Sequence, residues 1–284
     1  MMRRIPAALA ALLAGAAASP AATWRATSDA DLQTTVDGAA YGDTVWVAPG
    51  EYLRVTMRSG IQLLAEEGPE TTIIRNNRFW VVKADDVDSV ATVAGFLLDG
   101  VKAAEGVVFA ENSQLTVRDC QIRGGWSGVR AMYSDMQVRD CVITDCQNGT
   151  YFLECGGVIE GCEITRCTNG ISLVSATTRV QRNEIHGNSL GLSVSKHSDP
   201  TIGGSISGAN RIWGNPGGGV KNTALQKKYE LRTMKPATLH VPYNWWGADC
   251  PDSSDFRGPV VWAPWVVGDG KRSLEECPPK SSSE

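Results

Sequence analysis

From Leu115 to Val220 one short pattern of apolar and polar positions recurs along the chain. Four units follow at a step of 21 residues without a gap: LTVRDCQIRGGWSGV from Leu115, MQVRDCVITDCQNGT from Met136, GVIEGCEITRCTNGI from Gly157 and TRVQRNEIHGNSLGL from Thr178. Cys120, Cys141, Cys162 and Asn183 share one position, and Ile122, Ile143, Ile164 and Ile185 another. Gly128, Gly149, Gly170 and Gly191 form a third set; Gly125, Cys146, Cys167 and Asn188 form a fourth. A fifth unit, ANRIWGNPGGGV from Ala209, follows six extra residues around Gly203–Gly208. Upstream, VAGFLLDG from Val93 reads as a diverged unit with Phe96 at the cysteine position.

Within a unit the apolar residues alternate. Ile159, Cys162 and Ile164 face one way with a bend at Gly161, and Ile171 and Leu173 face in again. Two or three short strands between Gly and Asn turns fill such a unit. Helical repeats need a longer 3.6-residue period, and propeller blades need about 40 residues. The pattern predicts an all-β, single-stranded parallel β-helix with 21-residue coils. Equivalent residues then stack about 4.8 Å apart. Each buried Ile contributes about 1.5–3 kcal/mol. The conserved spacing of Gly predicts bends with positive φ, and inward Asn predicts hydrogen bonds to the next coil.

An open β-helix needs a cover at each end. DADLQTTVDGAA, Asp29 to Ala40, predicts a short capping helix with Leu32 and Val36 on one face. YNWWG, Tyr243 to Gly247, and the stretch from Gly258 to Val267 concentrate Trp245, Trp246, Trp262 and Trp265. These predict a Trp-rich C-terminal cap, with a sugar-stacking platform as the alternative. The Lys-rich stretch Gln226 to Lys235 reads as a protruding loop.

Three cysteines in one column cannot all pair, and a linear ladder does not converge on a zinc tetrahedron. The column Cys120, Cys141, Cys162 therefore reads as small apolar packing. Cys250 and Cys277 lie outside the repeat and are the disulfide candidates.

The N-terminus changes the picture of compartment. A short basic start, an Ala-rich apolar run to Ala18 and small residues near Ala21 form a signal-peptide pattern over residues 1–21. The β-helix with its caps is expected over 22–267, and a polar tail over 268–284. A net charge of −4, from 31 acidic and 27 basic residues with no basic tract, does not point to nucleic acid. No later membrane span is expected, and a monomer is.

Candidate chemistry comes from the outward rows. Arg118, Arg139, Glu160 and Gln181 form one; Gln121, Val142, Glu163 and Glu184 a second; Arg130, Tyr151, Ser172 and Ser193 a third; Arg123, Thr144, Thr165 and His186 a fourth. Glu163 and Glu184, with His186, are the candidate catalytic groups, since two neighbouring carboxylates suit glycoside hydrolysis. Trp126, Arg130 and Tyr151 are the candidate ligand-binding residues: aromatic faces and a guanidinium suit an acidic or neutral glycan. No resident metal or cofactor is expected, although carboxylates at Asp119 and Asp140 raise Ca²⁺ as a candidate.

Three features together resemble the right-handed parallel β-helix proteins of pectate-lyase-like fold found among secreted bacterial proteins. GDTVWVAPGEY, Gly42 to Tyr52, is similar to their opening strand and turn; the Cys/Asn-x-Ile units to their coils; YNWWG and the later Ala263-Pro264-Trp265 to their closing segment. The resemblance implies a right-handed coil and a secreted or periplasmic bacterial protein. It transfers no catalytic position. Two functions remain: an extracytoplasmic scaffold that binds a polysaccharide or the cell-envelope surface without catalysis, and a polysaccharide lyase or glycoside hydrolase.

Overall fold

Each 21-residue unit folds as one coil, with three short strands separated by three tight bends. The computed structural model describes residues 20–101, 105–224, 236–268 and 272–277. The signal-peptide reading up to residue 19, the Lys-rich stretch 226–235 and most of the tail beyond 277 lie outside these residues. In the coil that starts at Asp135, the strands are Asp135–Arg139, Val142–Thr144 and Asn148–Leu153. Stacking the coils produces three parallel sheets, here numbered 1, 2 and 3 in the order the chain visits them.

The register is the one the spacing predicts. Ile122, Ile143, Ile164, Ile185 and Ile212 pair rung on rung in sheet 2. The same inward column extends upstream through Leu98 and Ile74 to Tyr52, all buried. Phe96 is fully buried one residue before Leu97, which pairs with Gln121, so it does occupy the Cys120 position.

The bends are made differently from the expectation. Asp119, Asp140, Gly161 and Arg182, with φ of 54°, 50°, 66° and 56°, turn the chain from sheet 1 into sheet 2. Asp145, Arg166 and Gly187 do the same between sheets 2 and 3, and Tyr133, Glu154 and Ser175 between sheets 3 and 1. At these bends a left-handed residue closes the corner, and where it is not glycine it bears a cost of about 1–2 kcal/mol; the bend after Arg123 uses two, Gly124 and Gly125. Gly128, Gly149, Gly170 and Gly191 are not among the positive-φ residues. They are glycine for lack of room: a Cβ on Gly149 would lie 2.4 Å from the Gly170 carbonyl oxygen and 2.6 Å from a methyl of Ile164.

Inside the bends the column changes chemistry along the axis. Cys120, Cys141 and Cys162 are buried free thiols, and so are Cys146, Cys155 and Cys167. Each thiol of the first column lies near the carbonyl of the residue two before it, as Cys141 does with Arg139 at 3.1 Å. From Asn183 onward an amide ladder takes over. The Cys162 N–H donates to Asn183 Oδ1 at 2.9 Å, and the Asn183 N–H donates to Asn210 Oδ1 at 3.0 Å. The Asn210 N–H then donates to Asn244 Oδ1 at 3.0 Å. A parallel ladder runs from the Cys167 N–H through Asn188 to Asn215.

Asn244 makes the Tyr243–Gly247 stretch a sixth unit. Trp246, 4% exposed, sits at the inward Ile position and closes the column. Trp265 is buried with its indole N–H on the Asp249 carbonyl, and Trp262 stacks on Phe256 at 4.3 Å. These three form the expected cap. Trp245 does not: it faces outward beside Arg211. At the other end a helix, Asp29–Gly38, turns Leu32 and Val36 into the core. The Asp31 carboxylate accepts from the Ser28 and Thr27 N–H groups, which hold it below its ordinary pKa. Asp43 ties down the first strand, accepting from the Ala22 and Ala40 N–H groups and the Trp24 indole. Cys250 and Cys277 are joined, with Cα atoms 5.4 Å apart. Among the described residues, no helix is long and apolar enough to cross a membrane.

Two outcomes test this packing. All six free thiols are buried; burial pushes the Cys155 thiol up to about 11, while hydrogen bonding to the neighbouring thiols of Cys120 and Cys167 raises Cys141 and Cys146. Native protein should therefore resist alkylation at neutral pH, and unreduced denatured protein should expose six free thiols. Gly149→Ala should cost about 3 kcal/mol or more by overpacking, read from urea denaturation. Gly156→Ala should be nearly silent, because its nearest neighbour would lie at 3.8 Å.

Candidate functional site

Outward positions on a stacked coil also form columns, and the chemistry of each sheet's outer face follows from its sequence. On sheet 3 one column reads Lys83, Phe109, Arg130, Tyr151, Ser172, Ser193, Lys221, Arg257. Two residues along, the neighbouring column carries Met132, Leu153 and Val174, all partly exposed. No carboxylate interrupts the first column.

The three predicted binding residues meet at its centre. The Trp126 and Tyr151 rings lie 5.4 Å apart, tilted by 58°. The Arg130 guanidinium sits 5.5 Å from the Trp126 centroid, 6.0 Å from Tyr151 and 5.8 Å from Phe109. Phe109 was not in the predicted set, although one 21-residue step back from Arg130 reaches it. Three π faces around one cation form a cage. Arg130 Nε is buried without an acceptor, and its Nη2 has only the Met132 sulfur at 3.8 Å. No ion pair within 4 Å engages this guanidinium among the described residues. Beneath it, Asn169 and Ser172 both donate to Asn148 Oδ1 at 3.0 Å, which fixes the strand under Tyr151.

The predicted catalytic groups also come together, on the outer face of sheet 2. Glu163 and Glu184 are rung neighbours, and both are exposed. Each already has a partner. His186 Nε2 lies 3.3 Å from Glu163, and Arg211 lies 3.6 Å from Glu184. His186 in turn stacks on Trp213 at 4.4 Å, and Arg211 covers Trp245 at 4.1 Å. The cluster pairs its own charges and covers its own rings. The outward rows read from sequence stop at Glu184 and His186, one coil short of Arg211 and Trp213, and Trp245 lies beyond a further step of 34 residues, from Asn210 to Asn244.

The remaining rows behave differently from solvated faces. Glu160, 4% exposed, is covered on sheet 1 by Arg139 and Arg182, with Gln181 Nε2 at 2.6 Å. Such a buried, paired carboxylate is costly to desolvate and serves the packing of three coils. Asp119, a calcium candidate, pairs with Arg118 at 2.5 Å. Among the described residues, no three His, Cys, Asp or Glu side chains converge on a metal-sized site.

Comparison with known proteins places this geometry. The family described as right handed beta helix region matches residues 59–233 of the 284. No curated protein matches the chain by sequence. Among solved structures, it is similar to pectate lyase Pel9A, with a TM-score of 0.52 and 10% identity over 88% of this chain and 79% of that one. It is also similar to pectin methylesterase PemA from Erwinia chrysanthemi, with a TM-score of 0.49 and 10% identity over 87% of this chain and 94% of that one. At that identity the first likeness shows the fold alone.

Proposed function

The chain belongs to the right-handed β-helix family, and from that premise we propose that it is an extracytoplasmic scaffold that binds an acidic glycan on sheet 3 without chemistry. Fold alone names no activity, so the reading rests on the site. The observation that carries it is Arg130, a caged guanidinium with no carboxylate of its own. A carboxylate on a sugar ring supplies the missing charge, and Trp126 and Tyr151 supply faces for the ring. Lys221 and Arg257 in the same column extend a cationic line along the coil axis, whereas Lys83 at its other end is paired with Asp85 at 2.6 Å. A linear acidic polymer laid along the rungs meets these groups in turn. The signal-peptide pattern and the Cys250–Cys277 bond support a place outside the cytoplasm. Polysaccharide-active proteins among the structural neighbours, such as pectate lyase Pel9A, are consistent with a carbohydrate ligand.

The alternative, a lyase or hydrolase, would draw on Glu163, Glu184 and His186. Their existing pairs with each other and with Arg211 favour the non-catalytic reading. Affinity electrophoresis in polygalacturonate, alginate and neutral dextran tests the proposal. Mobility should be retarded in an acidic polymer, and not in dextran. Arg130→Ala should weaken that retardation about tenfold or more, as loss of a charge-assisted contact does. Raising salt should weaken it in the wild type. Unchanged retardation in Arg130→Ala would overturn the site. Release of unsaturated or reducing ends that Glu184→Gln abolishes would instead establish the enzyme.

A further inference from the structure

The outer face of sheet 3 changes its charge along the coil axis. The column through Arg130 begins near Lys83 and ends with Lys221 and Arg257. Two residues along, the neighbouring column begins with Asp85 and Glu111 and ends with Ser195 and Thr223. At the corner beyond it the left-handed residues run from Asp86 through Glu154 to Lys196. The N-terminal end therefore answers its own cation: Lys83 pairs with Asp85, and Glu111 adds a further carboxylate one rung on. The C-terminal end does not. Lys221 and Arg257 are exposed, and among the described residues no ion pair within 4 Å engages either, not even from Asp255 two positions before Arg257. Between Tyr151 and Lys221 the column holds only Ser172 and Ser193, so the surface is low there. Ser172 is buried and bonded to Asn148, and Ser193 is half-buried.

A polyanion laid along this face is repelled at one end and attracted at the other. We propose that the acidic glycan leaves the Arg130 cage in the C-terminal direction, crosses the serine floor and reaches Lys221 and Arg257, an inference that rests on the reading of Arg130 given above. Four rungs separate Arg130 from Lys221, about 19 Å at the spacing of stacked strands. A single uronate engages the cage alone. A chain long enough to touch both stations gains the second contact as an intramolecular event. The ligand class is therefore a polyuronate chain, with carboxylates on successive units, and the preference for length lies in Lys221 and Arg257.

Competition electrophoresis tests it, in polygalacturonate or alginate, whichever retards the wild type, with the monomer and octamer of the same uronate as soluble competitors. The octamer should displace the polymer at a concentration about a hundredfold below that of the monomer. Lys221→Gln/Arg257→Gln should cut that advantage about tenfold and leave the inhibition constant of the monomer unchanged. Arg54→Gln/Lys83→Gln removes two charges from the other end of the same face, where Arg54 is exposed over Trp80. Screening hides charges that far from the chain, so this variant should change neither value more than about twofold. Melting curves confirm each fold, and Lys221→Gln alone decides if Arg257→Gln melts early. The inference is overturned, with the Arg130 site left standing, if the octamer competes no better, unit for unit, than the monomer. It is equally overturned if both double variants weaken retardation to the same extent. Absence of retardation in both acidic polymers, or retardation unchanged in Arg130→Ala, overturns the reading of Arg130 and this inference together.

Discussion

Coil-on-coil register is the constraint from which everything else in this protein follows. Parallel strands stacked about 4.8 Å apart leave each inward residue only one neighbour above and one below in its own column. A column must therefore be filled by residues that stack on themselves. Ile does so from Ile74 through Leu98 to Ile212, and Trp246 ends the series because nothing needs to stack beyond it. Glycine at 128, 149, 170 and 191 follows from the same closeness, since adjacent coils leave no space for a methyl group.

The bend column shows two solutions to one problem. A thiol is compact and apolar, and it accepts its burial with only a weak hydrogen bond to a nearby carbonyl. An asparagine brings a carboxamide that must be satisfied in full. The preceding coil satisfies it: Asn215, with no Asn beyond it, accepts from the Asn188 N–H and donates to the Ile185 carbonyl. Cys162 marks the junction, because its own N–H is the first to be received by the ladder.

The legible part of the sequence was whatever repeats without a gap. The 21-residue step gave the inward columns, the outward rows and the meeting of Arg130 with Tyr151, since each needs only a count. Three things escaped it for physical reasons. The bends use Asp119, Asp140 and Arg182 in the left-handed region, a conformation that residue type announces only for glycine. The burial of Glu160 depends on Arg139 and Arg182 folding over it, which is a matter of rotamers and not of register. Asp99 lies where the step departs from 21 residues, so counting along the repeat could not bring it beside Arg75.

Charge distribution separates the two faces in a way that composition could not. On sheets 1 and 2 five outward or bend arginines find carboxylates at home, although among the described residues Arg179 does not: Arg139 and Arg182 on Glu160, Arg123 on Asp99, Arg75 on Glu51, Arg211 on Glu184. Those pairs fasten one coil to the next. Arg130 on sheet 3 is enclosed by three aromatic rings and yet has no such partner. A guanidinium needed only for packing would be stabilised by an acid in the next rung, and the rung positions beside it carry Phe109 and Tyr151 instead. With its rung neighbours aromatic, the proposed glycan carboxylate is what would supply the counter-charge from outside the chain. A flat ring bearing a carboxylate satisfies the cation and the aromatic faces together.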